Sequence, residues 1–367
     1  MRLVIDCFKL IKGAGKSIGI YNVAQGIVKH IGMINAETDN KEEIIILGNG
    51  SNRGDFDVPG VKFKEVKKYD PTKKLDVIMW ELFFVSKYCK KLKADRVFFP
   101  RGYTALTHPV FDIILIHDLI PFYYDKHFPG VFNRIENAYI MNRLKQSARS
   151  AKKVITISQA SKQDIVDYCG VDESQVVVIN NACEPTRVGI EKSGKPYICA
   201  MTSGLPHKNA KGIIESYSKY YAIADDPIEL IVIGLKDTDG YDIPDEVKKH
   251  ITCYKYIKST EEMYKVIGGA EVFLFLSLVE GFGLPPIEAM TLGVPVICSN
   301  TSSLPEVCGD AALLVDPNDH EVIAQRLLYL VKTDSKKEEL KKRGFLNTKR
   351  FDWSLISKKY WEQLLEA

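Results

Sequence analysis

Glu280 and Glu288 stand on either side of a glycine turn in the segment FLFLSLVEGFGLPPIEAMTLGVPVICSN. The apolar run 272–279 reads as a buried strand, Gly281 and Gly283 as a tight turn, and Pro285 and Pro286 as the opening of a helix. A strand end, a glycine turn and a helix N-terminus together aim backbone amides and a helix dipole at an anion. With seven residues between them, the second inside the first helical turn, the two carboxylates can bond hydroxyls at opposite ends of one ligand. A sugar and a ribose joined by a diphosphate would fit. Helix-start charges favoured by the dipole are the plainer reading of the same two residues. A second strand end, SGLPHKN (203–209), offers Lys208 as a point charge for a phosphate, although an isolated lysine usually does nothing. His117, in IHDLIP, closes a third strand-like run. A lone histidine is usually a satisfied core residue, but at the carboxyl end of a strand in a doubly wound sheet it meets ligand.

The elements that must position these residues alternate along the chain. Strand-like runs (RLVIDCF, EIIILG, RVFFP, DIILIHD, KVITIS, QVVVIN) are separated by helix-like stretches, which implies a parallel sheet covered on both faces. The pattern pauses in a Gly/Pro/polar stretch (180–196) and restarts with YICAMTSG, ELIVIG, ITCYKYI, VFLFLS and VPVICSN. With the linker near 184–195, the reading is α/β, with two doubly wound domains (1–185 and 186–350) and a cleft between them. A length of 367 residues suits two domains. KFKEVKKYDPTKK reads as a solvated loop.

Composition narrows the function class. Fifty basic against 47 acidic side chains give +3, too weak for a nucleic-acid binder. The division is uneven: residues 1–185 carry 27 basic and 21 acidic side chains (+6), the remainder 23 and 26 (−3). Eight scattered cysteines form no C-x-x-C pair, so buried thiols are expected rather than a zinc or redox site. The apolar runs are strand-length, and MRLVIDCFKL opens as a strand rather than a leader, so a cytoplasmic location is expected.

Two motifs fail on spacing. In the first loop, Gly13 to Gly19, the third glycine comes one residue late for a dinucleotide fingerprint, and Leu10 stands where a P-loop needs glycine. What remains is a Gly-rich turn, with Gly15 and Gly19 able to approach a ligand closely. Asp55-Phe56-Asp57 and Asp237-Thr238-Asp239 are D-x-D triples in Gly-flanked loops; chance acidic loops are the better reading, and no metal is assigned.

The stretch E-G-F-G-L-P-P-I-E-A-M followed by G-V-P-V-I-C-S-N-T-S-S-L-P-E-V-C-G-D-A-A resembles the E-x7-E region of family 4 retaining glycosyltransferases. The likeness extends over IGIY (18–21), IHDLIPFYY, VITISQASKQDI, VVVINNA, HKN and FDWSLISKKYWEQLL. It implies the GT-B fold: two Rossmann-like domains, the N-terminal one for the acceptor, the C-terminal one for a nucleotide sugar. A C-terminal helix (351–367) crosses back to the N-terminal domain, with Phe351, Leu355, Tyr360 and Leu364 as its buried stripe. By resemblance, Glu280 contacts donor-sugar hydroxyls, Glu288 the ribose, and the amides of Phe282, Gly283 and Leu284 the diphosphate. Lys208 matches the family lysine on that diphosphate. Ser203 stands where many members have arginine, and His207 where the P-R-K-N branch has it, so positive charge there is thinner than usual. His117 falls beside the reacting sugar, Gly19 matches the family's glycine turn, and base choice falls near Tyr256-Ile257.

The activity implied is metal-independent, retaining hexosyl transfer from a nucleotide diphosphate sugar, with no cofactor. GDP-mannose is the first donor expected, UDP and dTDP sugars the alternatives. Glu280, His117 and Lys208 would carry the chemistry, and domain closure would exclude water. The acceptor would be a glycan or a polyprenyl-diphosphate-linked sugar in surface polysaccharide synthesis. The basic N-terminal domain would rest on the anionic inner face of the cell membrane. A noncatalytic nucleotide-sugar-binding subunit is the alternative; a dinucleotide oxidoreductase is disfavoured by the broken glycine spacing.

Overall fold

The computed structural model describes residues 1–11, 18–39, 41–107, 110–184 and 194–366, so Gly15 lies outside the described residues. The chain forms two compact units, residues 1–182 with 353–367, and residues 183–352. The change of unit falls three residues before the boundary read from sequence, and Phe351 and Asp352 go with the second unit.

The first unit is a seven-stranded parallel sheet in the order β3-β2-β1-β4-β5-β6-β7. Its strands are β1 (Arg2–Asp6), β2 (Glu43–Gly48), β3 (Lys62–Glu65), β4 (Arg96–Phe99), β5 (Phe111–Ile116), β6 (Lys153–Thr156) and β7 (Val176–Val178). Leu3, Val4 and Ile5 are all fully buried, as both faces of the sheet are covered and the strand must be apolar throughout. The stretch KFKE, read as loop, is instead the edge strand β3. Its two lysines are exposed, and an edge strand needs only one paired side. The helix after it (Lys74–Met79, Val85–Lys91) is interrupted by a π turn at Trp80–Phe84 that turns Trp80 into the core.

The second unit is a six-stranded parallel sheet, β10-β9-β8-β11-β12-β13. It comprises β8 (Tyr197–Met201), β9 (Glu229–Ile233), β10 (Ile251–Tyr254), β11 (Val272–Phe275), β12 (Val296–Ser299) and β13 (Ala312–Val315). In each sheet the strand order reverses once, between β1 and β4 and between β8 and β11. Loops leave in opposite directions at such a point and open a crevice at the strands' carboxyl ends.

The chain's last segment belongs to the first unit. Its helix (Trp353–Trp361, continued by a π segment Glu362–Glu366) buries Ile356, Tyr360 and Leu364. Leu355 was expected in that stripe but is 44% exposed. The inward face runs i, i+4, i+8 from Ile356, one position on, and Phe351 packs edge-on against Phe282 of the second unit's own core. Trp353 stacks on His30 with ring centroids 4.5 Å apart. Gly26 is needed there, because a Cβ at that position would lie 2.1 Å from the indole. Arg96 donates to the Leu364 carbonyl at 3.2 Å and Lys153 to Gln363 at 3.0 Å.

These bonds revise the basic surface read from sequence. Arg143 is buried, donating to Gln146 and the Thr104 carbonyl, and Arg149 donates to the Cys169 carbonyl. Lys87, Lys90, Lys91 and Lys93 do stand exposed. Among the described residues no helix is long and apolar enough to cross a membrane.

Candidate active site

In the second unit the loops after β8 and β11, the two strands at the reversal, bring Lys208 and Glu280 together. The Lys208 ammonium lies 2.5 Å from a Glu280 carboxylate oxygen and 5.8 Å from the Phe275 ring centroid. Lys208 closes a short turn (Pro206–Lys208) whose last carbonyl accepts from the Thr202 hydroxyl at 2.7 Å. Asn209, in the left-handed region at φ +52°, then caps the next helix by accepting from Gly212 N–H. Lys208 is therefore held from both sides.

Glu280 is held through its backbone. The Ser302 hydroxyl donates to the Glu280 carbonyl at 2.7 Å and accepts from its N–H at 3.2 Å. The Ser303 hydroxyl lies 3.0 and 2.8 Å from the carbonyls of Glu280 and Phe282. Ser302 adopts φ +57°, an unfavourable conformation for a residue with a Cβ, so the surrounding bonds must hold it there. The sequence reading missed both serines, although three hydroxyls stand in a row ahead of Leu-Pro in N-T-S-S-L-P-E.

The helix Leu284–Thr291 starts one residue earlier than the prolines suggest, with Gly283 as its N-cap at φ +104°. A Cβ on Gly283 would lie 2.5 Å from Leu304 Cδ2. Glu288 is thereby the fifth helical residue, in the second turn rather than the first. It points toward the helix Thr260–Gly268, where the Tyr264 hydroxyl donates to its Oε1 at 3.2 Å. Burial raises the Glu288 pKa above the usual carboxylate value, and the Tyr264 bond opposes that shift. Nothing in the spacing pointed to Tyr264.

Ser203 hydrogen-bonds within its own turn, its hydroxyl accepting from Leu205 N–H at 3.3 Å. His207 is buried and its pKa is pushed down to about 4, first by burial and then by the Lys208 charge. It is neutral near pH 7 and does not replace an arginine's charge. Tyr256 is 75% exposed and Ile257 half-buried, just beyond β10. Phe282 is buried against Phe351.

In the first unit His117 follows β5. Its Nε2 lies 2.9 Å from the Pro100 carbonyl, which can only accept, so Nε2 carries the proton and Nδ1 offers a lone pair. Burial pushes its pKa down to about 4, leaving the ring neutral. Gly19 is exposed in the first turn of the helix Ile18–Glu37. Three of the four D-x-D carboxylates are engaged elsewhere: Asp55 accepts from the Tyr21 hydroxyl at 2.6 Å, Asp57 pairs with Arg53, and Asp237 pairs with Lys236. Among the described residues no three His, Cys, Asp or Glu are grouped to hold a metal ion.

Tyr264→Phe removes the bond that opposes burial, so the Glu288 pKa is expected to rise further, which a titration of that carboxyl followed by NMR would measure.

The sequence matches the glycosyl transferases group 1 family over residues 186–346 and Glycosyltransferase Family 4 over residues 40–187. It is 30% identical over 232 residues to O-antigen chain mannosyltransferase B of Escherichia coli, covering 59% of this chain and 61% of that one. It is 28% identical over 266 residues to O-antigen chain mannosyltransferase RfbU of Salmonella typhimurium, covering 70% and 71%. The chain thus spans about three fifths of the first relative and seven tenths of the second. WaaG, a glycosyltransferase involved in lipopolysaccharide biosynthesis, superposes over 100% of both chains with a TM-score of 0.70 at 12% identity. With its two parts matching two glycosyltransferase families, together over residues 40–346, the chain is a glycosyltransferase with the GT-B fold.

Proposed function

We propose that this protein transfers a hexose, with mannose the first candidate, from a nucleotide diphosphate sugar to a hydroxyl of a growing surface glycan. The observation that carries the reading is the Lys208–Glu280 pair at the carboxyl ends of β8 and β11, with Glu288 beyond the glycine turn. The O-antigen mannosyltransferases to which the chain is similar support hexose transfer and the choice of mannose.

In this reading Lys208 and the amides of Phe282, Gly283 and Leu284 stabilise charge on the departing diphosphate, already oriented before reaction. Glu280 uses its second oxygen on a sugar hydroxyl, and neutral His117 accepts a sugar hydroxyl at Nδ1. The bond from C1 to the diphosphate breaks while the acceptor oxygen bonds to C1 on the same face. The acceptor's proton passes to the leaving phosphate oxygen, so the configuration is retained and no protein base is required. Glu288 holds the ribose.

Purified protein mixed with a panel of nucleotide sugars and a polyprenyl-diphosphate-linked acceptor should release free nucleoside diphosphate only with the right pair. Binding of a nucleotide sugar without any release, across donors and acceptors, would favour a noncatalytic subunit. Thermal shift identifies the donor first, because a bound ligand raises apparent stability by mass action. Turnover is expected to persist in excess EDTA, since Asp55, Asp57 and Asp237 are held by Tyr21, Arg53 and Lys236. Loss that manganese or magnesium restores would overturn metal independence.

A peripheral membrane setting belongs to the same proposal, carried by the exposed lysines 87, 90, 91 and 93. Each contributes about 1 kcal/mol near an anionic surface, so cosedimentation with anionic liposomes should weaken steeply with salt and with Lys→Gln changes at these positions.

A further inference from the structure

The first unit holds a charged cluster that the proposed transfer does not use, at the carboxyl ends of β1 and β4, the strands between which the order reverses. Lys9 follows β1 and Arg101 follows β4, and both approach one carboxylate. Lys9 Nζ is 3.3 Å from Glu81 Oε1 and Arg101 3.9 Å from the same oxygen. The other acid at this end, Asp6, is committed to the Trp80 indole N–H (3.0 Å) and to Phe8 N–H (3.2 Å). Burial pushes Asp6 up to about 6, which leaves it mostly ionised near neutral pH, but both of its oxygens face the Trp80 indole N–H.

Two cations therefore share one carboxylate. Arg101 is the less satisfied of them. Its side chain is 17% exposed, and its Nε is buried with no hydrogen-bond partner among the described residues. A contact of 3.9 Å is longer than a hydrogen bond, so the guanidinium gains only Coulomb attraction from Glu81. Leaving such a donor unmatched costs free energy that a ligand could recover. The neighbours register the Arg101 charge. Lys9 is held below its ordinary pKa by burial and then by Arg101, with Glu81 opposing. His117 is also lowered, first by burial and more weakly by Arg101.

The position is as informative as the charge. Arg101 directly follows Pro100, whose carbonyl fixes His117. An anion on Arg101 thus lies beside the histidine that our functional reading places at the reacting sugar. The planar guanidinium suits two oxygens of a phosphoryl group, and Lys9 adds a point charge.

We propose that Arg101 and Lys9 form a phosphoryl-binding subsite that reads the acceptor, so that the acceptor carries a phosphate ester or diphosphate close to the hydroxyl that is glycosylated. The inference rests on the glycosyltransferase reading and adds to it the side chains that select a phosphoryl-bearing acceptor over a plain glycan.

The test uses the full chain saturated with its best nucleoside diphosphate, so that the Lys208 site is filled. Farnesyl diphosphate, farnesol and mannose 1-phosphate are then titrated against wild type, Arg101→Gln and Arg101→Lys, each checked by thermal melting. Farnesyl diphosphate should bind wild type at least tenfold more tightly than Arg101→Gln. Arg101→Lys, which keeps the charge but loses the fork, should fall between them, and farnesol should not distinguish the three. Stronger binding of farnesyl diphosphate than of mannose 1-phosphate would support a lipid carrier as the source of the phosphoryl group; the reverse order would support a soluble phosphosugar. Equal affinity of wild type and Arg101→Gln for both phosphates overturns the subsite. So does an equal loss of nucleoside diphosphate affinity in Arg101→Gln, because Arg101 would then serve the donor. Failure of wild type to bind any nucleotide sugar would instead overturn the functional reading beneath it.

Discussion

Glu280→Gln is expected to lower kcat by two to three orders of magnitude, the range found when one preorganised charge-stabilising contact is removed from an active site. Glutamine keeps the volume and the backbone bonds to Ser302 and Ser303, so the turn should survive. What it loses is the charge opposite Lys208 and an acceptor for a sugar hydroxyl. The effect should fall on kcat more than on donor affinity, because Glu288 and the turn amides remain. Lys208→Ala should be as damaging to turnover and should also destabilise the fold. Glu280 keeps only 11% of its side chain exposed and would be left without its cation. The cost should be about 2 kcal/mol, between the ~0–1 of a surface pair and the 3–5 of a fully buried one. Removing both partners should recover part of that stability and none of the activity. Wild-type turnover in Glu280→Gln would sink the site.

Deleting residues 353–367 should leave a protein that is insoluble, or that melts many degrees lower with loss of the first unit's cooperative transition. The deletion strips Ile356, Tyr360 and Leu364 from the core, each fully buried or nearly so. Uncovering three large side chains and their partners costs roughly 2–5 kcal/mol apiece, on the order of a domain's whole stability. It also uncovers His30, on which Trp353 stacks, and leaves Arg96 without the Leu364 carbonyl. Melting followed by calorimetry would report whether the second unit's transition survives alone. A truncate as stable as the full chain would make the segment an appendage.

How much of this was legible in the sequence depended on how local the determinant was. The parallel sheets were legible because a strand covered on both faces must be apolar along its length, as Leu3-Val4-Ile5 and Val272–Phe275 are. β3 was not, because an edge strand may carry KFKE and then looks like loop. Glu280, Lys208 and the glycine turn stood out because their chemistry follows from strand-turn-helix order. That Lys208 pairs with Glu280 depends on β8 lying beside β11, a neighbour 72 residues away in sequence. Tyr264, Arg101 and the two serines escaped for the same reason: each acts on a residue brought to it only by the sheet order. The one-position error at Leu355 has a narrower cause. Leu355 and Ile356 are adjacent and both apolar, but only Ile356 repeats at i+4 and i+8 with Tyr360 and Leu364, whereas Leu355 lies about half a turn round the helix from Leu364.

The tail's place in the first unit sets an order of events during synthesis. Residues 1–182 leave the ribosome first, yet their helices lack the surface that covers them until Trp353–Glu366 has emerged. Translating the intervening second unit takes roughly 10–30 s at about 5–20 residues per second. Throughout that interval the helix face at Gly26 and His30, which Trp353 covers in the folded unit, is exposed on a nascent chain. The second unit is continuous in sequence, so it can finish first. The first half to be made is thus the last to be completed, and a chaperone that holds nascent chains would find its binding surface on the N-terminal half.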